Sequence, residues 1–248
     1  MTRSDMHDRR AAGRERPILF SAPMIKALLA GTKTQTRRII KLNKNAASAI
    51  AEVGTDAAWR WEWGSQDGHG GLCCSHNGGT VSIPLRCPYG AAGSRLWVRE
   101  TWQALGFTTD FESGHTEHYA LDKIPKERGR CSVAYAATDE QADWHKEDRG
   151  FSWRPGIHMP RWALRITLEI TNVSVERLQD ITEDDAKAEG VKPFANDPEG
   201  DCWTDGKCRT AFQYLWNEIN GWKSNLWQSN PWVWVVSFKR LDAARSAE

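Results

Sequence analysis

The chain has no apolar run long enough to span a bilayer, and its first residues lack the apolar core of a secretion signal. Helical membrane insertion and signal-directed export are therefore not expected, and the six cysteines are read as reduced thiols of a cytoplasmic protein. Net charge is nearly absent too: 33 basic against 32 acidic residues leave +1, which argues against a long polyanion and for a ligand of nucleoside size. No internal repeat is visible, and strands do not alternate regularly with helices, which excludes a doubly wound parallel sheet. The separated Cys-x-x-Cys pairs of a zinc ribbon are missing. Cys73, Cys74, His76 and Cys87 come nearest to a zinc set, but adjacent cysteines chelate poorly, and neither metal nor cofactor is expected.

What remains is a chain of 248 residues, 40% apolar, with 14 Trp among its aromatics. That suffices for one large domain, and so many indoles need a core or a flat ligand to cover them. Charge is unevenly spread. Residues 1–44 hold eleven Lys/Arg against three Asp/Glu, whereas 176–205 hold three against ten. A basic front and an acidic back suit a cleft with one positive wall.

Residues 1–16 read as a flexible leader and 242–248 as a tail, with one domain over 17–241. Pro17–Phe20 reads as a short buried strand. Ser21 and Pro23 open a helix that Gly31 closes. Residues 43–92, rich in Ala, Gly and Ser with Trp59, Trp61 and Trp63 at alternate positions, read as an insertion carrying one short strand or hairpin. The spacing predicts a strand at Arg95–Trp102, an irregular segment over 103–129 and a strand at Cys131–Ala137. Two prolines make Trp153–Pro160 a rigid connection. Strands follow in Ala163–Val175, then a short helix over Glu183–Glu189 capped by Asp180 or Thr182 and closed by Gly190. A helix over Thr210–Ile219 and a strong strand over Trp232–Phe238 complete an α+β chain with a twisted or closed sheet.

Gly31–Arg38 concentrates chemistry: Lys33, three threonines, Arg37 and Arg38 stand in eight residues. A threonine hydroxyl is a possible nucleophile, a desolvated lysine a base, and two arginines offer forked donors to phosphate or an oxyanion. A solvated Thr/Lys/Arg strand is the plain alternative.

Order, more than composition, adds a resemblance. Gly31-x-Lys33-Thr34-x-Thr36-x-Arg38, then Gly93-x-x-Leu96-Trp97-Val98, then Leu178-x-x-Ile181-Thr182-x-x-x-Ala186-x-x-Glu189-Gly190 and the Trp232–Phe238 strand together resemble the ASCH domain. The blocks Arg95–Trp102 and Trp153–Trp162 look like phage and prophage members of that family. The resemblance spans roughly residues 17–240, with 43–92 and 103–152 as Trp-rich insertions. It implies a PUA-like β-barrel with short flanking helices. It also implies one of two activities: an amidohydrolase removing the acetyl group of N4-acetylcytidine, or an RNA-binding module or ribonuclease. Lys33, Thr36 and Glu189 stand where the amidohydrolase residues fall. Ser94 replaces the usual acidic residue of the Gly-Asp-x-Leu turn.

In the hydrolase reading Thr36 attacks the acyl carbonyl, Lys33 takes its proton and Glu189 orients the lysine or relays a proton to the leaving amine. Arg38, with Arg37 beside it, meets the oxyanion or a phosphate. A regular strand would point residues 33 and 36 to opposite faces, so the segment must still be turning there, or bulged. Glu100 is a second candidate acid, or the partner of Arg99 or Arg95. Trp97, Trp102 and Trp153 are candidate stacking surfaces for a base, or core. His158 is a candidate pocket group, or a structural histidine. The expected partner is a modified cytosine nucleoside or a nucleic acid carrying it.

Overall fold

A computed structural model describes residues 15–54, 59–63, 69–110, 112, 116–127, 129, 131–193, 207–220 and 227–241. The expected leader, apart from Glu15 and Arg16, and the expected tail lie outside these residues, as does Cys202. In chain order the elements are β1 (Arg16–Leu19), α1 (Ala22–Leu29), β2 (Gln35–Ile39), α2 (Lys44–Val53), β3 (Arg60–Trp63), β4 (His69–His76) and β5 (Gly79–Arg86). There follow β6 (Arg95–Arg99), β7 (Trp102–Thr109), β8 (Thr116–Ala120), β9 (Ser132–Tyr135), α3 (Lys146–Arg149), β10 (Thr167–Arg177), α4 (Glu183–Ala188), α5 (Cys208–Asn220) and β11 (Trp232–Leu241). No helix among the described residues is long and apolar enough to cross a membrane.

The principal sheet has the order β1-β6-β10-β11-β2, parallel only between β1 and β6. Its strand β11, between β10 and the edge strand β2, is the run Trp-Val-Trp-Val-Val-Ser-Phe, apolar at consecutive positions because both faces are covered. Trp232, Trp234, Val236 and Phe238 pack with Phe20, Ile25, Leu96 and Leu168. Val233 and Val235, pointing the other way, pack with Ile181, Phe212, Trp216 and Trp227 beneath α4 and α5.

The fold is α+β, as expected, but the described strands do not close into a barrel. The ladder ends at β1 on one side and β2 on the other. The two edges are joined by a side chain instead: Arg38 Nη2 of β2 donates to the Leu19 carbonyl of β1 at 2.6 Å.

The insertions hold more structure than their composition suggests. Residues 43–92 contain α2 and the meander β3-β4-β5, where one strand or hairpin was expected. Asn43 caps α2 through a side-chain bond from Ala46 N, and Ala46 and Ile50 join the main core. The span 103–129, expected to be irregular, supplies β7 and β8, which with β9 form a third sheet, β8-β7-β9. Trp102, Ala104, Met159 and Ala163 form that layer's small core.

Candidate functional site

The turn after α1 sets the geometry. Gly31 adopts φ +75°, and the amides of Thr32 and Lys33 both donate to Ala27 O, at 3.0 and 3.2 Å. Lys33 then forms an isolated antiparallel bridge with Glu189, and Thr34 N donates to Ala188 O at 2.8 Å, before β2 begins at Gln35. Lys33 thus pairs with the end of α4, two residues before β2 takes up its own ladder against β11.

Glu189 arrives on α4, which is nucleated by a capping box: Thr182 Oγ1 accepts from Asp185 N, and Asp185 accepts from Thr182 N. Asp180, the other expected cap, ends the short turn before it. Gly190 follows at φ +80°, where a Cβ would lie 2.7 Å from Ala27 Cβ and 2.9 Å from Lys33 Cβ. Only glycine lets the carboxylate-bearing turn approach the lysine this closely.

Lys33 Nζ donates to Glu189 Oε2 and to the Glu189 carbonyl, both at 2.8 Å. Both side chains are almost wholly buried. Burial pushes the Lys33 pKa down; Glu189 pulls it up, and Arg38 and Arg37 push it down further, leaving it below the ordinary 10.5. Arg37 Nη2 lies 3.2 Å from Glu176 Oε2 and 3.3 Å from Asp185 Oδ2, and Arg37 Nη1 lies 3.6 Å from Glu189 Oε1. Burial pushes the Asp185 carboxyl up, but bonds from Thr182, then Arg37 and Gln35, leave it below its usual value. Two cations, Lys33 and Arg37, thus meet three carboxylates (Glu176, Asp185 and Glu189), while Arg38 is turned to Leu19 O and the Phe20 ring. Glu176, Asp185 and Gln35 were not foreseen from sequence; the only signal was the Gln35-x-Arg37-x-Ile39 alternation on β2.

Thr36 lies opposite Val236 and Arg38 opposite Trp234, so both share the main-core face of β2, while Arg37 and Ile39 face α4 and α5. The Phe20 ring links the two groups, with Arg38 Cζ 5.3 Å and Lys33 Nζ 5.4 Å from its centroid. Thr36, Arg37, Arg38 and Glu189 together line a small cleft of about 50 Å³ closed by Phe212 and Trp216. A larger cleft of about 620 Å³ lies between α1 and α5 and is walled mostly by apolar atoms, with Lys26 and Lys192 among its lining residues. Met24, Glu189 and Leu215 border both clefts, which puts the buried carboxylate at their junction.

The other candidates lie elsewhere. Glu100 is 1% exposed and is held by a bidentate bond from Arg165, Nε to Oε1 and Nη2 to Oε2 at 2.7 Å each. Its partner is therefore neither Arg99 nor Arg95, and Arg165 in turn lies over the Tyr135 ring at 4.0 Å. Trp97 is nearly buried, with Arg99 at 4.6 Å and Arg161 at 5.9 Å from its ring. Trp102 is fully buried, edge-on to Trp162, so it presents no face to a base. Trp153 stacks with Arg149 at 5.0 Å and donates to Ala142 O. His158 is exposed at the end of a short 3-10 turn, Gly156–His158. Cys73 donates to Ser82 Oγ and Cys74 points to the opposite face of β4, so the two thiols do not converge. Among the described residues no group of three His, Cys, Asp or Glu side chains is arranged to hold a metal.

No family model, curated protein or solved structure matches the chain.

Proposed function

We propose that this protein is an ASCH-type amidohydrolase of PUA-like ancestry, removing the acyl group of an N4-acylated cytosine nucleoside without a metal. The observation that carries the reading is the buried Lys33–Glu189 pair, whose glutamate borders both a small cleft and a nucleoside-sized one. A lysine whose pKa is pushed down by burial is suited to act as a base, and the carboxylate fixes its orientation. Thr36 Oγ1 adds to the acyl carbon and gives its proton to Lys33 Nζ. Arg38 meets the oxyanion. The C–N bond then breaks, the proton passes from Lys33 to the departing amine, and water releases the acid from Thr36.

One observation favours a second reading. Thr36 is 1% exposed on the main-core face, opposite Val236, as befits a packing residue. In that reading the same clefts hold a modified base without turning it over. Incubation with N4-acetylcytidine separates the two: cytidine and acetate appear if the chain is a hydrolase, whereas binding without release marks a reader. Cleavage of an RNA strand in the same assay would replace both with a ribonuclease.

A further inference from the structure

Four buried polar atoms around the small cleft have no hydrogen-bond partner among the described residues: Arg37 Nε, Arg37 Nη1, Arg38 Nε and Glu189 Oε1. Leaving a buried donor or acceptor unmet is costly, and native interiors rarely tolerate several together. Here they cluster on residues that line one cleft. Arg37 and Glu189 are both buried, and the unmet Nη1 donor stands 3.6 Å from the unmet Oε1 acceptor.

Charge decides what fits between them. Arg37 already has Glu176, Asp185 and Glu189 around it, and Glu189 already has Lys33 and Arg37. A carboxylate or phosphate would meet Glu189 Oε1 head on, and a cation would meet Arg37. The complement is a neutral group that carries an acceptor and an N–H donor side by side. A 4-aminopyrimidine has that edge: ring N3 accepts and the N4–H donates. Carboxylates accept well from such an exocyclic N–H, and guanidinium donors pair with ring nitrogens. The small cleft, at about 50 Å³, has room for little more than one water's share of liquid, and so for a ring edge but not a ring. The ring body has space in the adjoining cleft of about 620 Å³, within the usual range for small-molecule sites.

We propose that Arg37 and Glu189 form a donor–acceptor reader for the N3/N4–H edge of a cytosine-type base, which requires an N4 that keeps its hydrogen. This rests on the nucleoside reading above, but it concerns recognition and holds whether or not turnover occurs. An acylated N4 still carries its hydrogen, so the substrate proposed above meets the requirement.

The test alters the ligand, so the fold stays untouched. The full chain is titrated by calorimetry with cytidine, with N4-methylcytidine, which adds a methyl group and keeps one N4–H, and with N4,N4-dimethylcytidine, which keeps the ring and has no N4–H. Cytidine and N4-methylcytidine are each expected to bind at least tenfold more tightly than the dimethyl nucleoside, since a site built to bond a group rejects the analogue without it. Equal affinities, N4-methylcytidine as weak as the dimethyl nucleoside, or binding of none of the three, would overturn the assignment. Turnover of N4-acetylcytidine is measured in parallel. Discrimination without turnover sinks the hydrolase and keeps the reader, and turnover without discrimination does the reverse.

Discussion

Lys33 and Glu189, 156 positions apart in the chain, meet at 2.8 Å with both side chains out of water. Two left-handed glycines make the meeting possible, Gly31 by turning the chain after α1 and Gly190 by leaving no Cβ against Lys33. The pair costs desolvation on both sides, which a merely structural contact could avoid with apolar residues. Its retention next to two clefts is what gives the site a chemical reading.

Breaking the pair should therefore be worse than removing it. Lys33→Met leaves a buried carboxylate with only the longer contact to Arg37, and is expected to cost about 3 kcal/mol of stability. Adding Glu189→Gln should recover part of that loss. Urea unfolding of the two single variants and the double variant gives the coupling. Additive losses would mean the two side chains do not depend on each other.

Stability and rate should both respond to pH through Lys33. Its folded pKa lies below the 10.5 of an exposed lysine. Between those two values the unfolded chain holds a proton that the folded chain has released. Stability attributable to this group therefore rises with pH across that window and is flat below it. The wild-type minus Lys33→Met difference in unfolding free energy, followed from about pH 7 to about pH 10, isolates the effect. In the hydrolase reading, kcat/KM climbs around the lower end of that window, as the folded amine becomes neutral, and is level above it.

Thr36 separates chemistry from packing. Thr36→Val keeps the shape and removes the hydroxyl, so it should abolish deacylation with a stability loss of about 1 kcal/mol. Thr36→Ser should retain activity at a reduced rate. If Thr36→Val deacylates like wild type, the nucleophile is another group.

Much of this was legible in the chain and some was not. Ser21, Pro23 and Gly31 marked α1, Thr182 and Gly190 bracketed the short helix, and β11 announced itself by its apolar run. The two outer sheets did not, because their glycines look like turns. Gly70 lies within β4 where a Cβ would sit 2.3 Å from the Trp61 ring, and Gly106 lies within β7 under Tyr119 at 2.6 Å. Each is a seat for an aromatic ring on the neighbouring strand, a use that a one-dimensional pattern cannot separate from a loop. The bond between Glu100 and Arg165 was hidden for a different reason: two nearer arginines, Arg95 and Arg99, were equally plausible partners until the fold chose. At the site, Lys33, Thr36 and Glu189 stood out by order, whereas Arg37's carboxylates came into view only with the register of β2 against β11.

The helix that delivers Glu189 is six residues long and depends on its cap. Thr182→Ala should cost about 1 kcal/mol, lower Tm, and reduce both turnover and nucleoside binding by loosening the carboxylate. Thr182→Ser should restore both.

The most direct measurement is cytidine release from N4-acetylcytidine by the wild-type protein and by folded Lys33→Met, followed chromatographically in the presence of a chelator. Release by the wild type, lost in the variant, is the expected result. No release by the wild type, or equal release by both, would contradict the claim that the buried lysine and its carboxylate partner do the chemistry.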